Sequence, residues 1–277
     1  MPFWKLPYGI ALNKLLTAKG ISIVELNNTV AIVTGASSGV GAATAIKLAA
    51  QNVRVVVNYA RSREGAQSTV KRIEQAGGEA IAFQADVSDN DQCVALVGKA
   101  IAQYGQLDIL VNNAGTTTYV EHKALDLLSD EIWQSALGTN LMGPFYMTRA
   151  ALPELIKRGG GEVVMTSSIA GLTTNGSSMA YCASKAALNS LTRTLAKAIG
   201  EHNVRVNAIC PGLINGSWAS EGWGERWDDV IAFAEGAAAL GKVSTPEDIA
   251  DSIISVITGT DLMTGQIITV DGGFTIT

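Results

Sequence analysis

Cysteine, histidine, proline and charge are all scarce in this chain of 277 residues, and each scarcity closes off a class of function. The three cysteines, Cys93, Cys182 and Cys210, lie far apart without a C-x-x-C pair, and only His122 and His202 accompany them, so no metal site is expected. So sparse and odd a set suits a reducing compartment, with the thiols acting as small buried hydrophobes. Lysine and arginine number 20 against 25 acidic residues, a net charge of −5 with no basic run, which offers nucleic acid and anionic lipid no electrostatic footprint. Residues 1–28 hold one lysine among the first ten and no apolar run of signal-peptide length. Ile10 to Leu16 is too short to span a bilayer. The expectation is a cytoplasmic protein without membrane or nucleic-acid partners, whose N-terminal extension, 1–28, straps onto its own domain or a neighbouring subunit.

What is plentiful is apolar residues, at 47%, and glycine, with 29 against 6 prolines. That balance describes one compact α/β domain over residues 29–277 with many tight turns. Apolar runs at Val30–Val33, Val53–Tyr59, Glu79–Gln84 and Leu107–Val111 alternate with helical patterns from Ala42, Arg61 and Asn90. This alternation predicts a parallel, doubly wound sheet. Further strands are expected at Glu162–Thr166, Val204–Ile209 and Gln266–Val270. Helices are expected over Ser129–Lys157, with a kink near Gly143-Pro144, and over Met179–Ile199 and Pro246–Ile257.

The first strand runs into Thr34-Gly35-Ala36-Ser37-Ser38-Gly39-Val40-Gly41, directly before a helix. Glycines let a backbone approach pyrophosphate closely, and the free N–H groups and positive end of the helix favour that anion. A dinucleotide site is therefore expected here. At the end of the second strand an acidic residue would bind a ribose 2′-hydroxyl, whereas a cation accommodates a 2′-phosphate. The chain reads Asn58-Tyr59-Ala60-Arg61-Ser62, without a carboxylate. NADP is thus favoured over NAD, with a solvated arginine at a helix start as the bland reading of Arg61. Asp86, beside Val87, is placed where an adenine amino group would be met, and Asn113-Ala114-Gly115 exposes backbone beside the same cleft.

Tyr181 and Lys185 are four apart on an expected helix and project from one face. A cation held near a phenol favours its ionised form, which would bring Tyr181 towards acid/base strength at neutral pH. Ser167 and Ser168 lie at the carboxyl end of a strand, where ligands bind such sheets. Asn140, inside a helix, would ordinarily be a surface or locally bonded residue.

Taken together, Thr34-Gly35-x-x-x-Gly39-x-Gly41, Asn112-Asn113-Ala114-Gly115, Asn140, Ser168, Tyr181-x-x-x-Lys185 and Pro211-Gly212 resemble the short-chain dehydrogenase/reductase family from about Asn28 onward. The resemblance implies a single-domain Rossmann-type fold of about seven strands with helices on both faces. It also implies an oxidoreductase moving hydride between nicotinamide and a carbonyl carbon. By that resemblance Tyr181 is the acid/base, Ser168 holds the substrate oxygen, and Asn140 supports a water relay. Lys185 binds the nicotinamide ribose and lowers the tyrosine's pKa. Ser168 rather than Ser167 stands at the family's separation from Tyr181, although the neighbour stays open. Gly35, Gly39, Gly41, Pro211, Gly212 and Ile214 would also border the cofactor. Ser38 stands where many NADP-using relatives carry a basic residue, which leaves the phosphate to Tyr59, Arg61 and Ser62. After Gly212 the chain reads Leu213-Ile214-Asn215-Gly216-Ser217 where a threonine is common, so Ser217 substitutes or the loop differs. A homotetramer is implied, paired through the long helices and the last strand.

Two rivals stand beside an NADPH-dependent carbonyl reductase: an epimerase or dehydratase using nicotinamide transiently, and a non-catalytic nucleotide sensor. Trp218, Trp223 and Trp227, on a glycine-interrupted stretch, predict a substrate lid over about 213–240 that closes on an apolar carbonyl or alcohol substrate. A subunit contact or ordinary core is the alternative for those rings.

Overall fold

A computed structural model describes residues 25–276. The extension expected over 1–28 therefore lies outside the described residues except for its end, where Leu26 is buried against the core. Seven strands form one parallel sheet: β1 (Val30–Val33), β2 (Arg54–Tyr59), β3 (Ala80–Gln84), β4 (Ile109–Asn112), β5 (Gly161–Thr166), β6 (Val204–Pro211) and β7 (Ile267–Val270). Their spatial order is β3-β2-β1-β4-β5-β6-β7. The winding reverses between β1 and β4, and such a reversal opens a crevice at the carboxyl ends of the strands.

Why the sheet is covered on both faces follows from β1, whose four residues are all buried. Alternation sends Ala31 and Val33 to one face and Val30 and Ile32 to the other, so both faces need cover. On the first face lie α1 (Gly39–Ala49), α2 (Arg63–Gln75) and α9 (Pro246–Thr258), with Leu48, Ile73, Ile253 and Ile257 packed inward. On the second lie α3 (Asn90–Tyr104), α5 (Gly143–Lys157) and α6 (Met179–Ile199), contributing Leu96, Met147, Leu155 and Leu188. Truncating one of these fully buried side chains to alanine commonly costs about 2 to 5 kcal/mol.

The interruption expected near Gly143-Pro144 takes the form of a π-helical turn just before it. Helix α4 (Asp130–Leu137) runs into a π-helical turn, Gly138–Met142, before α5 begins at Gly143. Pro144 occupies the first turn of α5. Gly143 is needed for closeness, since a Cβ there would come 2.8 Å from Val87 Cγ2. Between β6 and α9 the chain makes an excursion through α7 (Ser217–Trp223) and α8 (Trp227–Ala237), joined by Gly224 at φ +57°.

Candidate active site

The carboxyl edge of the sheet opens into a cleft of about 1490 Å³, bordered by the glycine loop, the ends of β2, β4, β5 and β6, and the α7 and α8 excursion. Its floor is held by backbone and buried amides. Thr34 Oγ1 accepts from Asn113 N at 2.9 Å and Ala114 N at 3.0 Å, while Asn113 Nδ2 donates to Thr34 O at 3.0 Å. Asn58 Oδ1 accepts from Gly35 N at 3.2 Å, and its amide donates to Ala85 O at 3.0 Å. Asn58 was missed as a site residue, yet a polar side chain inside the apolar run of β2 was its signal.

Helix α1 starts at Gly39, earlier than the expected Ala42, so its first N–H groups open on the cleft, and Ser38 provides no side-chain cap for them. Gly35 and Gly39 have φ of +61° and +53°. Nothing stands within 4 Å of where a Cβ on Gly39 would be, whereas one on Gly41 would overlap the Gly35 carbonyl oxygen. These are the marks of a cradle that a side chain would fill, and they fit a dinucleotide phosphate.

Most of the residues expected to border the cofactor line this cleft: Gly35, Ser37, Ser38, Gly39, Val40, Arg61, Ser62, Asp86, Val87, Asn113, Ala114, Gly115, Pro211, Gly212 and Ile214. Two expected residues do not. Gly41 is buried behind the loop, and Tyr59 is only 7% exposed, packed with Val55 and Val57. Strand alternation explains Tyr59: it shares the inward face of Val57, while Asn58 takes the face beside the loop. Ser217 lines a smaller cavity outside the loop, next to Ser37 and Ser38, and Leu213 and Ile214 occupy its expected place on the main cleft.

On the opposite wall, α6 presents Tyr181 and Lys185. Ser168 is hydrogen-bonded to the Tyr181 phenol. Its Oγ also accepts from Ala170 N at 3.1 Å. Ser167, the open alternative, is buried and donates to Lys185 O at 3.3 Å. Lys185 is 3% exposed, donates from Nζ to Thr166 O at 2.7 Å, and lies 5.7 Å from the centre of the Tyr181 ring. Burial pulls its ammonium down to about 8.

The expected lowering of Tyr181 is not what this environment produces. Burial raises the phenol above its ordinary value and outweighs the lowering by the Ser168 bond, with Tyr119, Cys182 and Cys210 adding to the rise. Tyr181 is thus a protonated donor at neutral pH.

Asn140 also departs from its sequence reading. It is wholly buried in the π-helical turn. Its Oδ1 accepts from Thr116 N at 2.8 Å, and its amide donates to Thr116 O at 2.9 Å and Ser184 Oγ at 3.0 Å. Ser184 in turn donates to Tyr181 O at 2.7 Å. The side chain therefore clamps the turn after Gly115 to the helix bearing Tyr181.

Over this wall hang the aromatic residues of the excursion. The Trp218 ring lies 6.2 Å from that of Tyr181, and Trp223 meets Tyr119 edge-on at 5.4 Å. Among the described residues there is no cluster of histidine, cysteine or acidic side chains arranged to hold a metal, and no helix long and apolar enough to cross a membrane.

Comparison with known proteins follows the same lines. The family model for short chain dehydrogenase matches residues 29–225. A 3-oxoacyl-[acyl-carrier-protein] reductase of Synechocystis is 36% identical, covering 91% of this chain and 98% of its own length. One from Thermotoga maritima is 34% identical over 91% of this chain and all of its own. Among solved structures, a short-chain type dehydrogenase/reductase from Mycobacterium marinum superposes with a TM-score of 0.81 at 30% identity, over 91% of this chain and 97% of that one.

Proposed function

The chain belongs to the short-chain dehydrogenase family, and from that premise we propose that it is an NADPH-dependent ketoreductase interconverting a bulky apolar ketone or aldehyde and its alcohol. The observation that carries this reading is the half-buried Tyr181 phenol on the cleft wall, hydrogen-bonded to Ser168 beside the Lys185 ammonium. Tyr181 gives its proton to the substrate oxygen, and the Ser168 O–H turns from the phenol to donate to the same atom as negative charge develops there. Lys185 offsets the charge of the phenolate left behind. Losing one such donor commonly costs about 2.7 to 4 kcal/mol of transition-state stabilisation.

The cofactor, when bound, supplies or accepts the hydride. The loop Gly35–Gly41 and the start of α1 would hold its pyrophosphate, and Asp86 with Val87 its adenine. Asn113–Gly115, Pro211–Gly212, Ile214 and Lys185 would border the nicotinamide half. Asn58, Ala60, Arg61 and Ser62 wall the end of β2 without a carboxylate, which supports NADPH over NADH. The segment 213–240 is the substrate lid of the single domain 29–277, a reading supported by the Trp218–Tyr181 contact. The same proposal includes a cytoplasmic homotetramer joined through α4, α5, α6 and β7.

The test follows nicotinamide absorbance while NADPH, then NADH, is offered with α-tetralone, butanone and a 3-oxoacyl thioester, the last chosen from the relatives' names. Faster consumption of NADPH with the bulky ketone is expected. No turnover of any of them with either cofactor would overturn the reading.

A further inference from the structure

Helix α7 contains a glycine that its own backbone does not need. Gly222, the penultimate residue of α7, is absent from the positions with positive φ, and glycine within a helix is disfavoured relative to alanine. Its reason lies in what it faces. A Cβ on Gly222 would overlap Cε2, Cζ and the hydroxyl of Tyr119, so the phenolic edge of that ring rests directly on the α7 backbone. Residues 218, 219, 222 and 223 share one face of α7. Ala219 is buried, Trp218 meets Tyr181, and Trp223 stacks edge-on against Tyr119.

Tyr119 belongs to the body of the domain. Its loop is pinned by Val120 N donating to Ser177 O at 2.9 Å, by Thr117 Oγ1 and Ser177 Oγ at 2.5 Å, and by His122 Nε2 and Gly176 O at 3.1 Å. Ser178, next in the chain, caps α6 by accepting from Tyr181 N at 3.3 Å. The ring against Gly222 is therefore anchored to the frame that positions the proton donor.

We infer that Tyr119 and Gly222 are a latch that docks α7 over the cleft and determines how bulky a substrate reaches Tyr181. Both are positioning residues: the ring sets the height of the helix, and the helix sets the gap between Trp218 and the phenol. This inference rests on the ketoreductase reading for its substrate and on geometry alone for the docking. A flat aryl ketone fits a gap walled by rings, and raising α7 by one methyl group misplaces that wall.

The test is a double-mutant cycle on the full chain with Gly222→Ala, Tyr119→Ala and the pair, each checked for an unchanged oligomer size and melting transition. Helix propensity alone would make Gly222→Ala firm up α7, whereas the latch requires the opposite sign. Tryptic cleavage after Arg226, an exposed residue following α7, is expected to accelerate at least about fivefold in Gly222→Ala. KM for α-tetralone is expected to rise about tenfold, with kcat and the KM for butanone changing less than about twofold. The double variant should be no worse than Tyr119→Ala alone. Additive losses, or slower cleavage in Gly222→Ala, would overturn the latch. Wild-type protein inert towards both ketones would overturn the ketoreductase reading instead, and the tryptic cycle would then decide the latch by itself.

Discussion

The glycine loop, Thr34–Gly41, and the roof helix, Ser217–Trp223, both border one cleft and both contain a glycine that a neighbour excludes from carrying a side chain. At Gly41 the neighbour is a backbone carbonyl, part of a floor held by Thr34, Asn58 and Asn113 through bonds to main-chain atoms. At Gly222 it is a tyrosine ring, part of a roof held by Trp218, Trp223 and Tyr119. Backbone contacts do not vary with side-chain identity, which suits a floor that must fit one unchanging cofactor. Rings can be exchanged without disturbing the sheet, which suits a roof fitted to a substrate. On the proposed function, that difference assigns cofactor affinity to the floor and substrate choice to the roof.

The largest effect should come from the residue that both regions face. Tyr181→Phe keeps the ring against Trp218 but removes the proton, and kcat should fall at least about a hundredfold with NADPH affinity little changed. Near-normal turnover would take Tyr181 out of the mechanism and leave the two regions without a shared centre.

Next is the floor itself. Gly41→Ala drives a Cβ onto the Gly35 carbonyl, so NADPH affinity measured by fluorescence titration should fall more than about tenfold, with tryptic cleavage after Arg226 unaltered. A variant that binds cofactor normally but loses its roof would reverse the assignment of the two regions. Arg61→Ala sharpens the same half. NADPH should weaken by about tenfold and NADH hardly at all, because only the former carries a 2′-phosphate for the guanidinium. Equal losses would return Arg61 to the solvated surface.

The smallest expected effect concerns stability. Burial lowers the Lys185 ammonium to about 8 from 10.5, so the cost of the buried cation is fully present below about 8 and is released as pH rises towards 10.5. Lys185→Met should therefore melt higher than wild type at neutral pH, and the gap should narrow as the pH climbs through that window. A gap that widens with pH would mean that the ammonium is stabilised where it sits.

Much of this was legible from local pattern. The start of α3 and both ends of α6 agree with the periodicity to the residue, and Gly35, Gly39, Arg61 and Asp86 do meet at one cleft. Tyr59, expected at the phosphate with Arg61 and Ser62, is turned into the core by strand alternation. Asn140 was unreadable as a clamp, since the turn after β4 brings Thr116 to it and the packing of α6 on the π-helical turn brings Ser184.

Composition and spacing alone determined the parallel sheet, the phosphate-binding turn and the Tyr181/Lys185 face, because helix and strand periodicities and glycine's freedom act over a few bonds. Tertiary structure decided that Ser168 and not Ser167 meets the phenol, that burial raises Tyr181 rather than Lys185 lowering it, and that Tyr119 rests on Gly222. Each of those depends on desolvation or contact between segments distant in the chain, and such quantities exist only once the chain has closed around them.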